Sequence, residues 1–278
     1  AEHFETEIIS SDSRQFYKEM RIGTAVPNKA ELAQVPHHFI QHKSIKEPYS
    51  VGDFERDALE KLDSIFQTKN TVVMVGGSGL YIDSVIKGLD NFPEVENSIR
   101  EKLNTDFNEF GLEYLQNQLK KLDPEYYKTV DINNRHRIIR ALEISIGTGQ
   151  PYSSFLKNKK TERPFHAITV GITAPREMIY DRINRRVDLM ISNGLLAEAE
   201  HLYPFKNLNA LNTVGYKELF AHFDNEVDLD HAISEIKKNT RRFAKRQMTW
   251  FKKDNSIIWF DYDTPISEIV SMIESHLR

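Results

Sequence analysis

The sequence predicts an α/β protein: a parallel sheet flanked by helices, with an all-helical insertion. Short apolar runs alternate with helical patterns near the start, and the run at residues 71–75 (TVVMV) is apolar throughout, as in a sheet covered on both faces. Residues 94–157 show helical patterns only, and a buried-strand pattern (HAITVGIT) returns at 166–173. The predicted boundaries are 1–90 and 164–278 for the α/β core and 91–163 for the insertion.

The individual elements follow from local signals. Ser50 and Asp53 have the spacing of a capping box. The helix that they open carries Phe54 and Ala58 on one face. Pro175 stands at a first-turn position, which favours a helix start. Strands are predicted at residues 6–10, 37–41, 71–75, 166–173 and 256–260. Helices are predicted at residues 50–68, 98–110, 112–122, 124–129, 135–146, 195–202, 213–223, 230–252 and 266–277. Two more helices are predicted to begin at residues 80 and 175.

Composition excludes several classes of site. The 278 residues contain no cysteine, which removes disulfides, thiolate zinc sites and cysteine nucleophiles. No apolar run approaches the ~20 residues that span a bilayer, so no membrane partner is expected. The net charge of −4 mildly disfavours nucleic acid, although local basic patches matter more than net charge. His37 and His38 lack a further ligand at metal-binding spacing, so packing roles are favoured.

The first strand begins early for this kind of protein. Residues 6–10 lead directly into polar side chains, and open α/β sheets place their sites at the carboxyl ends of strands. A strand, a phosphate loop and a helix normally precede such a strand, whereas only residues 1–6 precede the stretch EIISSDSRQ, which begins at Glu7. The chain is therefore expected to start inside a domain whose first βα unit is absent.

Asp12 is the candidate general base, because a carboxylate just past a strand end can project into a crevice. It is followed by Ser13, Arg14 and Gln15, giving the motif DSRQ. The alternative is that Asp12 caps the next helix and that Arg14 and Gln15 are ordinary surface residues. The residues alone leave both interpretations open.

Two features are suited to phosphate. The turn GGSGLY places Ser78 and free backbone amides at a helix N-terminus, although it is neither a Walker A loop nor G-x-G-x-x-G, and taken alone it is more often a structural turn. Arg182 and Arg186 lie one helical turn apart, and two guanidiniums on one face can clamp a diphosphate. The alternative for these arginines is a solvated face paired with nearby aspartates.

Two helices carry clusters of basic residues. The last insertion helix opens with Arg135, His136, Arg137 and Arg140. A ridge at helical spacing near the C-terminus consists of Lys238, Arg241, Arg242, Lys245 and Arg246. One face of such a ridge could follow an RNA backbone.

Together these segments resemble the bacterial tRNA dimethylallyltransferases (tRNA isopentenyltransferases). The matching stretches are EIISSDSRQFYKEMRIGTAVP, PHHFI, YSVGDFERDA, VVMVGGSGLY, NNRHRIIRALEI, TVGYKE and TRRFAKRQMTWF, in the family's order and spacing. The resemblance implies a P-loop NTPase-like core that transfers a dimethylallyl group from dimethylallyl diphosphate to the exocyclic amine (N6) of the adenosine 3′-adjacent to the anticodon. It also implies Mg²⁺, a tRNA anticodon stem-loop as partner, a cytoplasmic location and a monomer.

The resemblance assigns roles to individual residues. Asp12 would take the amine proton, and Ser78 and Arg186 would bind or neutralise the departing diphosphate as catalytic residues. Arg182 joins the predicted diphosphate-binding set because it shares a helix face with Arg186. The residues that would contact tRNA are Asp12, Ser13, Arg14, Gln15, Arg100, His136, Arg137, Arg140, Gly215, Tyr216, Lys217, Arg241, Arg242, Lys245 and Arg246. No residue of the chain is assigned as a metal ligand.

The chain also departs from the family pattern. The phosphate loop G-x-x-x-x-G-K-[ST] is absent, so a chain truly beginning at Ala1 is expected to be inactive or very weak. Ser78 replaces the commoner threonine. The alternatives are an adenylate isopentenyltransferase acting on free nucleotides, a phosphate-loop nucleotide kinase and a non-catalytic RNA-binding protein. The insertion and the basic C-terminal helix favour tRNA over a free nucleotide. A kinase would not need the DSRQ and TRRFAKRQ segments together, and an intact phosphate loop upstream would argue against a non-catalytic protein.

Overall fold

Short strands alternate with helices in the computed structural model, which describes residues 1–156 and 162–277. The strands are β1 Ile8–Ser10, β2 His37–His38, β3 Val73–Val75, β4 Val170–Thr173 and β5 Ile258–Asp261. The helices are α1 Lys29–Gln34, α2 Val51–Phe66, α3 Gly79–Lys87, α4 Asn97–Leu122, α5 Pro124–Thr129, α6 Arg135–Thr148, α7 Arg176–Ser192, α8 Leu195–Leu202, α9 Tyr216–Phe223, α10 Leu229–Phe251 and α11 Ile266–His276.

The strand pairs are parallel. β1 is central to one sheet, with Ile8 opposite His37 of β2 and Val73 of β3. β4 pairs with β5, where Val170 lies opposite Ile258. In the described part of the chain the strands thus form two sheets, ordered β2-β1-β3 and β4-β5. The predicted α/β class with parallel strands is confirmed, although these strands are divided between two sheets.

Several elements differ from the prediction in length. The run at 37–41 forms a strand only over His37–His38, because Phe39 takes a left-handed φ of 63° that ends the pairing. The run at 166–173 is a strand only where it faces the four residues of β5. Helix α1 was not predicted, although Asn28 and Glu31 form a capping box at its start.

Helix α4 contains two of the predicted helices, at 98–110 and 112–122. It is interrupted at Gly111, where φ is 80° and ψ is −177°. This backbone conformation is accessible to glycine and strained for other residues. The glycine therefore marks the break that the sequence predicts.

The chain divides into two compact units, one of Ala1–Lys87 with Arg163–Arg278 and the other of Gly88–Glu162. The first unit contains the two sheets, and the second is built from α4, α5 and α6. Residues 157–161, within the predicted insertion, lie outside the described residues. Each unit has its own apolar core, the first including Ile9, Phe16, Phe54 and Tyr216, and the second Leu103, Leu115, Leu119, Ile138 and Leu142.

Candidate active site and nucleic-acid interface

The turns that follow β1 and β3 lie side by side. The Ser11 N–H donates to the Val75 carbonyl at 2.8 Å, just past the end of β1. Beyond it, the Ser13 N–H donates to Ser78 Oγ at 3.1 Å, and the Ser78 hydroxyl donates to Ser13 Oγ at 3.0 Å. The DSRQ and GGSGLY motifs therefore form one site, where the carboxyl ends of parallel strands meet.

Asp12 has one carboxylate oxygen engaged and one open. Oδ1 accepts a hydrogen bond from the Arg14 N–H at 2.9 Å, and the Asp12 N–H donates to Ser10 Oγ at 3.3 Å. Among the described residues no donor reaches Oδ2. The residues after Asp12 form a turn and not a helix. Asp12 therefore stabilises its turn through one oxygen and leaves the other available to accept a proton.

Arg14 and Gln15 are anchored within the protein. Arg14 Nη1 donates to the carbonyls of Asn209 and Ala210 at 3.3 and 3.1 Å. Gln15 Oε1 accepts from Ser10 Oγ at 3.2 Å, and its Nε2 donates to two backbone carbonyls. These side chains thus shape the turn that carries Asp12, and their contact with tRNA stays a prediction.

Ser78 stands at the N-terminus of α3, where its carbonyl accepts from the N–H groups of Tyr81 and Ile82. The turn before it is tightly packed, since Gln247 Nε2 donates to the Gly77 carbonyl at 2.8 Å and a Cβ at Gly77 would collide with that amide. A larger residue at position 77 would have to displace the end of the Gln247 side chain and break its hydrogen bond to this turn. The hydroxyl and the first amides of α3 form a polar end suited to a phosphate oxygen.

The two clamp arginines lie exposed on α7. Arg182 and Arg186 make no hydrogen bond or ion pair with any described residue, whereas Arg185 pairs with Asp181 at 2.5 Å. The alternative of a fully paired charged face therefore applies to Arg185 and not to the other two. Arg182 and Arg186 remain available to an anion, and their diphosphate contact stays a prediction.

The basic residues of the α10 ridge differ in their contacts: one bonds to α7, and others are exposed. Arg241 donates to Asn184 Oδ1 at 2.7 Å and lies over the Tyr180 ring, so it joins α10 to α7. Arg242, Lys245 and Arg246 are exposed. The last two line a shallow cavity of about 210 Å³ with Thr249, Trp250 and Lys253. The exposed cations therefore concentrate toward the C-terminal half of α10.

The VGYK turn differs from the prediction at one residue. Gly215 has a φ of 101°, which favours glycine, and its N–H donates to Glu218 Oε2 at 2.8 Å. Lys217 is exposed, but Tyr216 is 0% exposed and its hydroxyl donates to Glu198 Oε1 at 2.6 Å. The Tyr216 ring therefore belongs to the apolar core in this conformation, and the predicted contact of this turn with tRNA stays a prediction.

In the helical unit, Arg100 and Arg140 converge on one buried carboxylate. Arg100 donates twice to Glu143, at 2.9 and 2.7 Å, and Arg140 donates once at 2.8 Å. Burial raises the pKa of Glu143, but the hydrogen bonds from both arginines outweigh it and hold the pKa below its usual value. His136 and Arg137 remain exposed at the start of α6. Arg100 therefore joins α4 to α6, whereas Arg140 pairs with Glu143 within α6. The tRNA contacts of both arginines stay predictions.

Three glutamates that organise these sites were not singled out from the sequence. Glu218 lies three residues after Gly215, and Glu143 three after Arg140, so local spacing could have indicated both. Glu198 bonds to residues more than 170 positions away along the chain. No local pattern reports such a contact.

The described residues contain no group of three or more His, Asp or Glu side chains that could hold a metal ion. At the turn site they offer the carboxylate of Asp12 and the hydroxyls of Ser13 and Ser78, which do not complete the octahedral oxygen shell of Mg²⁺. The expected Mg²⁺ thus has no site built from these residues alone. None of the described helices has the length and apolar character needed to cross a membrane.

Comparison with known proteins identifies relatives of the whole chain. A tRNA dimethylallyltransferase of Christiangramia forsetii is 64% identical over 278 residues, which are 100% of this chain and 92% of the relative. One of Flavobacterium johnsoniae is 54% identical, again covering 100% of this chain and 92% of the relative.

The fold has a solved counterpart, and the sequence matches a family model. The crystal structure of a tRNA isopentenylpyrophosphate transferase from Bacillus halodurans is similar with a TM-score of 0.73 at 36% identity, covering 100% of this chain and 90% of that one. The family model for IPP transferase matches residues 15–254. The family prediction is therefore confirmed: the chain belongs to the IPP transferase family.

Proposed function

We propose that the chain transfers a dimethylallyl group from dimethylallyl diphosphate to N6 of the adenosine 3′-adjacent to the anticodon of tRNA. The observation that carries the proposal is the junction of the Asp12 and Ser78 turns, held by the hydrogen bonds between Ser13 and Ser78. It places a carboxylate with an open oxygen beside a helix N-terminus. Full-length similarity to tRNA dimethylallyltransferases supports the same reaction.

The chemistry requires a base on one side of the allyl carbon and cationic groups on the other. The N6 lone pair attacks C1 of the dimethylallyl group, the C1–O bond breaks, and its electron pair leaves with the diphosphate. Asp12 Oδ2 takes the N6 proton. The Ser78 hydroxyl, the first amides of α3 and the guanidiniums of Arg182 and Arg186 stabilise the charge that develops on the diphosphate.

The RNA is proposed to reach this junction with its adenosine turned out of the loop, because the amine cannot react inside a stacked base. Ser13, Arg14, Gln15 and Gly215 would line the turn that receives the base. The exposed cations that would bind the backbone are His136, Arg137, Lys217, Arg242, Lys245 and Arg246. The helical unit, residues 91–163 in the predicted boundaries, would act as the tRNA-contacting domain.

Mg²⁺, if bound with the substrate, would be held mainly by diphosphate oxygens and water and would offset part of the diphosphate charge. We further propose a cytoplasmic monomer, in keeping with a tRNA substrate. Size-exclusion chromatography of the full-length protein checks the oligomeric state.

The test compares Asp12→Asn with the wild type, using full-length protein, dimethylallyl diphosphate and an anticodon stem-loop RNA. Turnover should fall by roughly 10²–10⁴, as for the loss of a general base, while RNA affinity changes little. The control is Asp63→Asn, which alters an exposed carboxylate on α2 and should behave as wild type.

Two results would contradict the proposal. Unaltered turnover in D12N would leave Asp12 as a turn residue only. Wild-type activity on AMP but not on the stem-loop would favour the adenylate isopentenyltransferase alternative.

A further inference from the structure

We infer that Glu198 is a positioning residue for the proposed prenyl transfer, holding the backbone of residues 21–23 so that Gln15 and the Asp12 turn keep their places. The inference rests on the proposed function. Glu198 lies on α8 and touches none of the residues assigned to the diphosphate.

The Glu198 carboxylate is surrounded by hydrogen-bond donors. It accepts from three consecutive backbone N–H groups, those of Arg21 at 3.0 Å, Ile22 at 2.8 Å and Gly23 at 3.0 Å. It also accepts from the Tyr216 hydroxyl at 2.6 Å. Successive amides converging on one anion form a concave cradle, so the negative carboxylate and the 21–23 backbone stabilise each other.

The packing around this cradle leaves little freedom. Tyr216 is 0% exposed, and a Cβ at Gly23 would lie 2.6 Å from its ring and hydroxyl oxygen, so only glycine lets the phenol approach. Burial, followed by the charge of Glu198, raises the pKa of Tyr216, and the hydroxyl therefore stays protonated as a donor. The bond from Tyr216 links the cradle to the VGYK turn.

The residues that follow the cradle, Thr24 and Ala25, are hydrogen-bonded to Gln15 in the turn that carries Asp12. Gln15 Nε2 donates to the carbonyls of Thr24 at 3.2 Å and Ala25 at 3.1 Å. Ala25 takes a left-handed φ of 50°, a conformation that an alanine keeps only when its surroundings hold it. The segment is therefore held at the cradle and at Gln15, in addition to the hydrogen bonds within its own turn, where the Ala25 N–H donates to the Ile22 carbonyl at 3.0 Å.

From Gln15 the chain of hydrogen bonds reaches Asp12. Gln15 Oε1 accepts from Ser10 Oγ at 3.2 Å, and Ser10 Oγ accepts from the Asp12 N–H at 3.3 Å. Glu198 is thus joined to Asp12 through segment 21–25, Gln15 and Ser10, and to the VGYK turn through Tyr216. Loss of the carboxylate should disturb the orientation of the base without removing a group that contacts substrate.

The experiment uses Glu198→Gln in the full-length protein, because glutamine has nearly the same size but directs an NH₂ donor into a cluster of donors. Hydrogen exchange of the peptide containing residues 21–25 should accelerate selectively. With the stem-loop and dimethylallyl diphosphate as substrates, kcat should fall roughly ten- to a hundredfold, as for a misplaced base, while KM for the diphosphate stays within about twofold. Glu200→Gln changes an exposed glutamate of the same helix and is the matched control.

A second variant, Tyr216→Phe, keeps the buried ring and removes only the hydroxyl, so it tests the cradle if E198Q folds poorly. It should also accelerate exchange at 21–25, with a smaller loss of kcat. The inference is overturned if E198Q and Y216F match E200Q in exchange and in kcat, or if kcat falls with no selective change at 21–25. A wild type that prenylates no RNA would refute the proposed function, whereas the exchange result would still decide whether the cradle holds segment 21–25.

Discussion

Replacement of His42 should make the free energy of unfolding less dependent on pH in the acidic range. Both ring nitrogens of His42 are buried and have no hydrogen-bond partner among the described residues. The ring instead makes edge contacts with the aromatic rings of Phe16, Phe39 and Tyr49, at centroid distances of 5.5, 5.2 and 5.2 Å. Burial, with the nearby charge of Lys43 adding to it, lowers the pKa of His42 to about 4.

The sign and size of the effect follow from this pKa. The folded protein keeps His42 neutral down to about pH 4, whereas the unfolded chain takes up the proton near pH 6.5. The unfolded state therefore binds more protons between these values, so the free energy of unfolding falls as pH falls through the window and is level above it. Between pH 7 and pH 5 this side chain alone should lower the free energy of unfolding by about 2 kcal/mol.

The assay is urea denaturation of wild type and His42→Leu between pH 5 and pH 7.5, followed by tryptophan fluorescence. Both tryptophans, Trp250 and Trp259, lie in the same unit as His42. The stability of H42L relative to wild type should increase by about 2 kcal/mol as pH falls from 7 to 5. His201→Leu replaces an exposed histidine of α8 and controls for the loss of an imidazole in general.

The reasoning is refuted if the difference between H42L and wild type stays constant across this range. It is refuted equally if H201L reproduces the pH dependence of H42L, since the effect would not then come from the buried ring.

Three further predictions concern the charged residues. Glu143→Gln should destabilise the helical unit by about 1–3 kcal/mol at pH 7, because its two arginine partners lose a buried anion. Since the pKa of Glu143 is lowered in the folded state, this contribution is present above pH ~4.5 and is lost as pH falls below it, which thermal denaturation followed by circular dichroism measures. Replacing Arg242 and Lys245 by alanine should weaken stem-loop binding and reduce the slope of log K against log salt by about 1–2. Replacing Arg241, which bonds to α7, should lower the melting temperature more than the salt slope, and titrations at several salt concentrations distinguish the two variants.

The local structure of the chain could be predicted from its sequence to a considerable extent. Ser50 and Asp53 form the expected capping box, and Gly111 separates the two expected parts of α4. Asp12 and Ser78 lie at the strand ends where the motifs placed them. These features depend on residues within about one helical turn or one strand, so a short window of sequence contains the physical information that determines them.

The use made of individual polar side chains was decided by tertiary structure. Arg100 donates to Glu143, 43 residues away, and Tyr216 turns into the core toward Glu198. Both were predicted to face tRNA, because a basic or aromatic residue in a motif looks the same in sequence whether it faces a ligand or a buried carboxylate.

The order of strands and the cradle at residues 21–23 were likewise decided by tertiary structure. β1 pairs with β2 and β3, while β4 and β5 pair separately, and apolar periodicity contains no information on such partners. The amides of residues 21–23 meet Glu198 at a sequence separation of up to 177 residues. The sequence by itself determined the family, the element types and the motif that carries the proposed base. Only the folded chain determined which charges remain free for substrate, because a buried ion pair forms wherever packing brings its two partners together.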